Sequence, residues 1–83
     1  MLVGMNTFHA AAEAVAGEVR AEMARQRKTQ AELATILGTT TATAGRRLDG
    51  SVPFDVVELC MVAGWLGTSP DRFTATLPTV AAS

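Results

Sequence analysis

Residues 30–50, QAELATILGTTTATAGRRLDG, decide the fold of this chain. The first part of this stretch has a helical period, because Leu33, Ile36 and Leu37 fall on one face and Gly38 follows at a helix-ending position. The second part is rich in threonine and glycine, which are poor helix formers. Its composition alone favours a surface loop, whereas its place between two helical patterns favours a short helix.

Capping patterns mark where the helices begin. Thr29 and Glu32 form a T-x-x-E capping box, and Asp55 and Glu58 form the equivalent D-x-x-E pattern. Thr40 is a good N-cap for a helix that includes the threonine-rich segment. The predicted helices run from about Thr7 to Gln26, from the Thr29 cap to Gly38, from Thr40 to Asp49, from the Asp55 cap to Leu66 before Gly67, and briefly after a Ser69 cap with Pro70 in the first turn.

The first helix carries one apolar stripe, which consists of Phe8, Ala11 or Ala12, Val15, Val19 and Met23. The sequence has no alternating strand pattern of useful length. It therefore predicts an all-α fold, a compact bundle of four to five short helices. We expect residues 1–6 to be a flexible N-terminus, residues 7–73 to be the folded domain and residues 74–83 to be a flexible C-terminal tail.

Small residues in the middle of the chain are spaced to let two helices cross closely. Ala34 lies mid-helix, Gly38 permits a tight turn with positive φ, and Ala44 places a second small residue at the crossing. Leu48 continues the buried face one turn later. Two helices joined by a three- or four-residue turn, with small residues at their contact, are typical of a helix-turn-helix.

The same stretch resembles the helix-turn-helix of the Cro and phage-repressor family of DNA-binding proteins, which has the lambda-repressor-like fold. The resemblance rests on Gln30, on Ala34 and Gly38 at the following two four-residue steps, and on the closing LDG. It continues through VPFDVVELCMVAGWLGTSPDRF and so covers residues 10–73. Ala44 departs from the family, which usually has valine or isoleucine at that position.

The resemblance implies that the segment from Thr40 to Asp49 is a recognition helix in the major groove of double-stranded DNA. Residues 41–43 would then face the bases, Arg46 would contact guanine, and Arg47 would reach the DNA backbone. Gln30, at a helix N-terminus, would bind phosphate. The predicted DNA-binding residues are Lys28, Gln30, Thr40, Thr41, Ala42, Thr43, Arg46 and Arg47.

Plainer interpretations of these residues stay open at this point. Arg46 and Arg47 are also compatible with a solvated face on which they pair with Asp49, and Gln30 with an inert surface position. Gly45, inside a helix, costs about 1 kcal/mol relative to alanine. A close crossing of two helices and a close approach to DNA would each explain why glycine occupies position 45.

The segment Val56–Leu66, VVELCMVAGWL, is apolar on nearly all sides. Leu59, Val62 and Leu66 are expected to face the core, which leaves other apolar side chains for a partner surface. We expect that partner to be a second copy of the chain, in a twofold homodimer that presents two recognition helices to DNA. The expected dimer residues are Val56, Met61 and Trp65.

Composition argues against several classes of protein. A single cysteine, Cys60, and a single histidine, His9, leave no disulfide framework and no zinc site. We expect Cys60 to be a buried thiol and His9 to be exposed. No nucleophile–base pair, metal cluster or phosphate loop is present, so we expect no enzymatic activity, cofactor, metal or small-molecule ligand. No apolar run reaches the roughly 18 residues of a membrane span, and we expect a cytoplasmic protein.

Charge is polarised along the chain. Residues 20–50 carry a net +3 and the remainder a net −4, although the whole chain has a net charge of −1. Together with this charge pattern, the resemblance to the Cro and phage-repressor family implies a sequence-specific DNA-binding transcriptional regulator, a Cro-like or immunity-repressor-like protein of a phage or bacterium that binds operator DNA as a dimer. The alternatives are an antitoxin-like or adaptor module that binds protein through the apolar fourth helix, and an excisionase-type architectural DNA binder.

Overall fold

Five helices make up the part of the chain that the structure describes. The computed structural model describes residues 3–77, with side chains from Phe8 onward. No strand occurs within that range, which confirms the predicted all-α fold. The helices are α1 (Val3–Arg25), α2 (Gln30–Leu37), α3 (Thr41–Leu48), α4 (Val56–Leu66) and α5 (Asp71–Thr74).

The capping boxes predicted for α2 and α4 are confirmed. The Thr29 hydroxyl accepts from the backbone N–H of Glu32 at 3.1 Å, and the Glu32 carboxylate accepts from the Thr29 N–H at 2.7 Å. Asp55 and Glu58 make the same reciprocal pair at 2.7 and 2.9 Å. Both boxes satisfy backbone donors that have no partner inside the helix.

The turn between α2 and α3 consists of residues 38–40. Gly38 has φ +68°, the left-handed conformation that favours glycine, and the N–H of Thr39 donates to the Ala34 carbonyl at 3.0 Å. Thr40 is extended and caps α3 as predicted. The threonine-rich segment is therefore helical, and its arrangement with α2 is consistent with the predicted helix-turn-helix.

Both ends of the bundle differ from the sequence-based boundaries. α1 begins at Val3, so the predicted start at Thr7 is wrong; no proline interrupts the chain there, and the helix continues toward the N-terminus. The predicted Ser69 side-chain cap is also wrong. The Ser69 backbone carbonyl, and not its hydroxyl, accepts from the N–H of Arg72, and α5 follows Pro70 without a side-chain cap.

The core contains residues from all five helices. In the predicted stripe of α1, Val15, Val19 and Met23 are buried, whereas Phe8 lies on the same face beside Ala11 and Ala12 but is 79% exposed. An open cleft that Phe54 and Leu59 also line lies beside it. Leu77, in the predicted tail, packs against the core, and residues 78–83 lie outside the described range. The buried core residues are Val15, Val19, Met23, Leu33, Ala34, Ala44, Leu48, Val62, Ala63, Leu66 and Phe73.

Helix α3 is held between α2 and α1. Ala34 and Ala44 are both buried, which confirms that small residues occupy the region where α2 meets α3. After α3 the chain turns at Gly50, whose φ is +82°. A Cβ atom there would lie 3.1 Å from the Cα of Glu13, so the turn rests directly on the backbone of α1.

No helix in the described range combines the length and the hydropathy that crossing a membrane requires.

Candidate nucleic-acid interface

The N-terminal turn of α3 is fixed by threonine hydroxyls. Thr40 Oγ1 accepts from the backbone N–H of Thr43 at 3.1 Å and donates to Thr43 Oγ1 at 3.0 Å. Thr41 and Ala42 are exposed in the same turn, whereas Thr43 is half-buried. The turn predicted to face DNA bases is therefore accessible and has a defined backbone.

A groove of 590 Å³ lies along the outer face of α3. It brings together three of the predicted site residues, Gln30 at the start of α2 and Ala42 and Arg46, which share one face of α3 with Gly45. Arg20 of α1 also lines it, although the sequence-based site did not include this residue. The complete lining is Arg20, Gln30, Ala42, Gly45, Arg46, Leu48 and Asp49.

Gln30 joins the start of α2 to the start of α3. Its Nε2 donates to the Thr41 carbonyl at 2.8 Å. A Cβ atom on residue 45 would lie 2.8 Å from that same Nε2, a distance that no relaxed contact allows. The glycine at position 45 leaves room for the Gln30 amide to reach the Thr41 carbonyl, a bond that links the two helices.

Arg46 is exposed and its guanidinium extends over the first turn of α3. Nη2 donates to Thr43 Oγ1 at 3.3 Å. Among the side chains that the structure describes, Arg46 forms no ion pair with Asp49. The plainer interpretation, in which Arg46 is paired with Asp49, is therefore not supported by a contact.

Asp49, the residue that follows the last turn of α3, also lines the groove. Hydrogen bonds from the hydroxyl and the backbone N–H of Ser51 hold the pKa of Asp49 below its ordinary value, and the positive charges of Arg46 and Arg20 add to this. The groove therefore carries two guanidinium groups and one carboxylate.

Arg47 has a partner inside the protein. Its Nε donates to Glu58 Oε1 at 3.0 Å, and both side chains are about one-fifth exposed. The same Glu58 oxygen accepts from the N–H of Asp55. Arg47 thus ties α3 to the capping box of α4, and its predicted contact with the DNA backbone stays a prediction without support from this geometry.

Lys28 and Trp65, which were predicted to serve different surfaces, lie against each other. The Nζ atom of Lys28 is 5.4 Å from the centroid of the Trp65 ring, a cation–π arrangement. Both side chains are half-buried, and Trp65 also packs against the core. The contact holds the segment before α2 against the end of α4.

The outer face of α4 is an apolar surface. Val56 is 76% exposed, Val57 67% and Met61 43%, and Leu59, Val62 and Leu66 turn inward as predicted. Cys60 is exposed, so the prediction of a buried thiol is wrong. The inward positions of α4 would have indicated this, since a helix that buries positions 59, 62, 63 and 66 turns positions 57, 60 and 64 outward.

A sequence model described as the BetR domain matches residues 9–78, which is most of the chain. No curated protein and no solved structure matches it significantly.

Proposed function

The chain belongs to the BetR domain family, and we propose that α3 is the recognition helix through which it binds specific DNA sequences and regulates transcription. The family is one of small helix-turn-helix-like DNA-binding domains and indicates a DNA-binding regulatory function. The observation that carries the proposal is the groove that places Gln30, Ala42 and Arg46 on one accessible face.

The outer residues of α3 suit direct contact with the major groove. The Ala42 and Thr41 side chains are short enough to let the helix approach, and their methyl groups match the thymine methyl. Arg46 carries the planar donor pair that fits guanine O6 and N7. Gln30 and the N-terminus of α2 would bind a phosphate, since exposed N–H groups and the helix dipole favour an anion there.

We further propose that two copies bind a twofold-symmetric operator, as a Cro-like or immunity-repressor-like protein would, and repress by occupying it. The outer face of α4 supports a second copy as the partner, because Val56, Val57 and Met61 are exposed and carry no charge that would repel an identical face. In this proposal the protein acts by binding DNA, and it needs neither a catalytic step nor a cofactor.

One observation favours a second candidate function. The exposed apolar side chains of α4, Val56 with Val57 and Met61, also suit a different protein partner, as in an antitoxin-like or adaptor module. An excisionase-type architectural role would use the same α3 groove without a symmetric site.

Selection of bound sequences from a random DNA pool tests the proposal. We expect a palindromic motif for the natural chain and, for Arg46→Ala, a loss of about 1–3 kcal/mol in specific affinity with relaxed preference at one base pair. Arg25→Ala is the matched control, since this exposed arginine is paired with Glu22 away from the groove. Recovery of no motif would overturn sequence-specific binding, and an asymmetric motif would favour the architectural role.

A further inference from the structure

We propose that Arg20, on α1 and outside the helix-turn-helix, binds a phosphate of the DNA backbone beside the site reached by α3. The inference rests on the proposed DNA-binding function and extends the contact surface to a third helix. Arg20 contributes to the net positive charge of residues 20–50 but is not among the DNA-binding residues predicted from the sequence, and the fold brings it to α3.

The ion pairs within the protein separate its arginines into two groups. Three of the six are paired with carboxylates: Arg25 and Arg72 with Glu22, and Arg47 with Glu58. Hydrogen bonds from Arg25 and Gln26 accordingly lower the pKa of Glu22. Within the described side chains, Arg20, Arg27 and Arg46 form no such pair.

Two of these three unpaired arginines line the same groove. Arg20 and Arg46 approach it from α1 and α3, and Ala42, on the face that would meet DNA, lies in its lining. Arg20 is exposed, so its charge is available to a ligand. Two guanidinium groups from different helices on one open groove favour the binding of an anion such as a backbone phosphate.

A hydrogen bond fixes the position of the Arg20 guanidinium. Its Nη1 donates to the backbone carbonyl of Leu48 in the last turn of α3. That bond uses one nitrogen and leaves further N–H groups for a second acceptor. Because the acceptor is neutral, the positive charge of Arg20 is oriented without being neutralised.

Asp49 is the one carboxylate in the groove lining. It accepts two hydrogen bonds from Ser51, which engage its Oδ1 atom. Its negative charge opposes a phosphate, and the charge of Arg46 alone would only balance it. With Arg20 the groove has a net positive charge, so an anion gains from binding there.

The dependence of DNA affinity on salt tests the inference. With the motif selected by the natural chain, Arg20→Gln should lower the magnitude of the slope of log K against log salt by about 0.9, the value for one phosphate contact. The same relation gives a loss of affinity of about eightfold at 0.1 M salt, equal for the selected motif and for unrelated DNA. Arg20→Lys should retain most of the slope, and Arg25→Gln, which removes one charge outside the groove, should leave it unchanged.

Two outcomes would overturn the inference while leaving the proposed function intact. One is Arg20→Gln with the natural slope and affinity. The other is a weaker affinity with an unchanged slope and a lower thermal midpoint, which would make Arg20 only a support for α3 through Leu48. Failure of the natural chain to bind DNA at all would instead refute the proposed function. DNA binding by the natural chain is therefore measured before any variant is compared with it.

Discussion

Helices α3 and α4 are built in the same way inside the protein and differ on their outer faces. Each begins after an extended residue whose side-chain oxygen accepts an N–H three positions later, Thr40 in one case and Asp55 in the other. Each buries a small set of apolar residues. Outward, α3 presents threonine, alanine and arginine, whereas α4 presents valine, cysteine and methionine. The inner faces and caps determine the fold, and the proposed function uses the outer face of α3 to bind DNA and that of α4 to bind an apolar partner surface.

The largest expected effect comes from placing a charge on the outer face of α4. Met61→Lys should abolish dimer formation and lower operator affinity by about 100-fold or more, because two linked recognition helices gain at least that factor over one. Light scattering and binding to the selected motif measure both effects.

His9→Lys is the control for Met61→Lys, since it adds one charge at an exposed position of α1. Sedimentation that shows only monomer for the natural chain at high micromolar concentration, with and without DNA, would contradict the dimer and leave the face of α4 for another protein.

The inner face of α3 gives the next largest effect. Ala44→Leu should lower the free energy of unfolding by about 1–3 kcal/mol, since Ala44 is fully buried against α2 and extra volume overpacks that contact. The same change at exposed Ala42 should leave stability within about 0.5 kcal/mol. Urea unfolding of both variants compares the two faces of one helix, and equal losses would mean that Ala42 is also packed.

The two N-caps give a smaller effect. Thr40→Ala and Asp55→Ala should each cost about 1 kcal/mol of unfolding free energy, with the larger loss at Asp55, which belongs to a capping box whose second bond runs from the Asp55 N–H to the Glu58 carboxylate. Thr40→Ser and Asp55→Asn, which keep a capping oxygen, should recover most of the loss. If the conservative variants were as unstable as the alanine variants, capping would not be the cause.

The smallest effect is expected at Gly45. Gly45→Ala should change stability by close to zero, because a gain of about 1 kcal/mol in helix propensity is offset by displacement of Gln30 from the Thr41 carbonyl. In a Gln30→Ala background the same change should stabilise by about 1 kcal/mol. Thermal unfolding of the four proteins in this double-mutant cycle measures the coupling, and its absence would show that Gln30 moves aside without loss.

Local features of this chain could be predicted from its sequence, and long-range contacts could not. The cap at Thr40 and the boxes at Thr29 and Asp55 join residues three positions apart, so spacing alone indicates them. The bond from Arg20 to the Leu48 carbonyl joins residues 28 positions apart and depends on how α1 lies across α3.

The errors and the unforeseen contacts in the candidate site have the same origin. The ion pair of Arg47 with Glu58 is an unforeseen contact, because it depends on the position of α4, and the contact of Arg47 with DNA stays a prediction. Cys60 was placed inside from the usual behaviour of a free thiol, although the packed side of α4 turns it outward. In both cases the surroundings of the side chain depend on how one helix is oriented relative to another. The identity of a single residue does not determine that orientation.

The contact between Lys28 and Trp65 also provides an optical probe. The chain has one tryptophan and no tyrosine, so its intrinsic fluorescence arises from a single indole with a lysine ammonium above the ring. The emission spectrum therefore reports on the junction between the start of α2 and the end of α4, which lies next to the apolar face of α4. A shift toward longer wavelength on unfolding, and a separate change on self-association, would let both equilibria be followed without an added label.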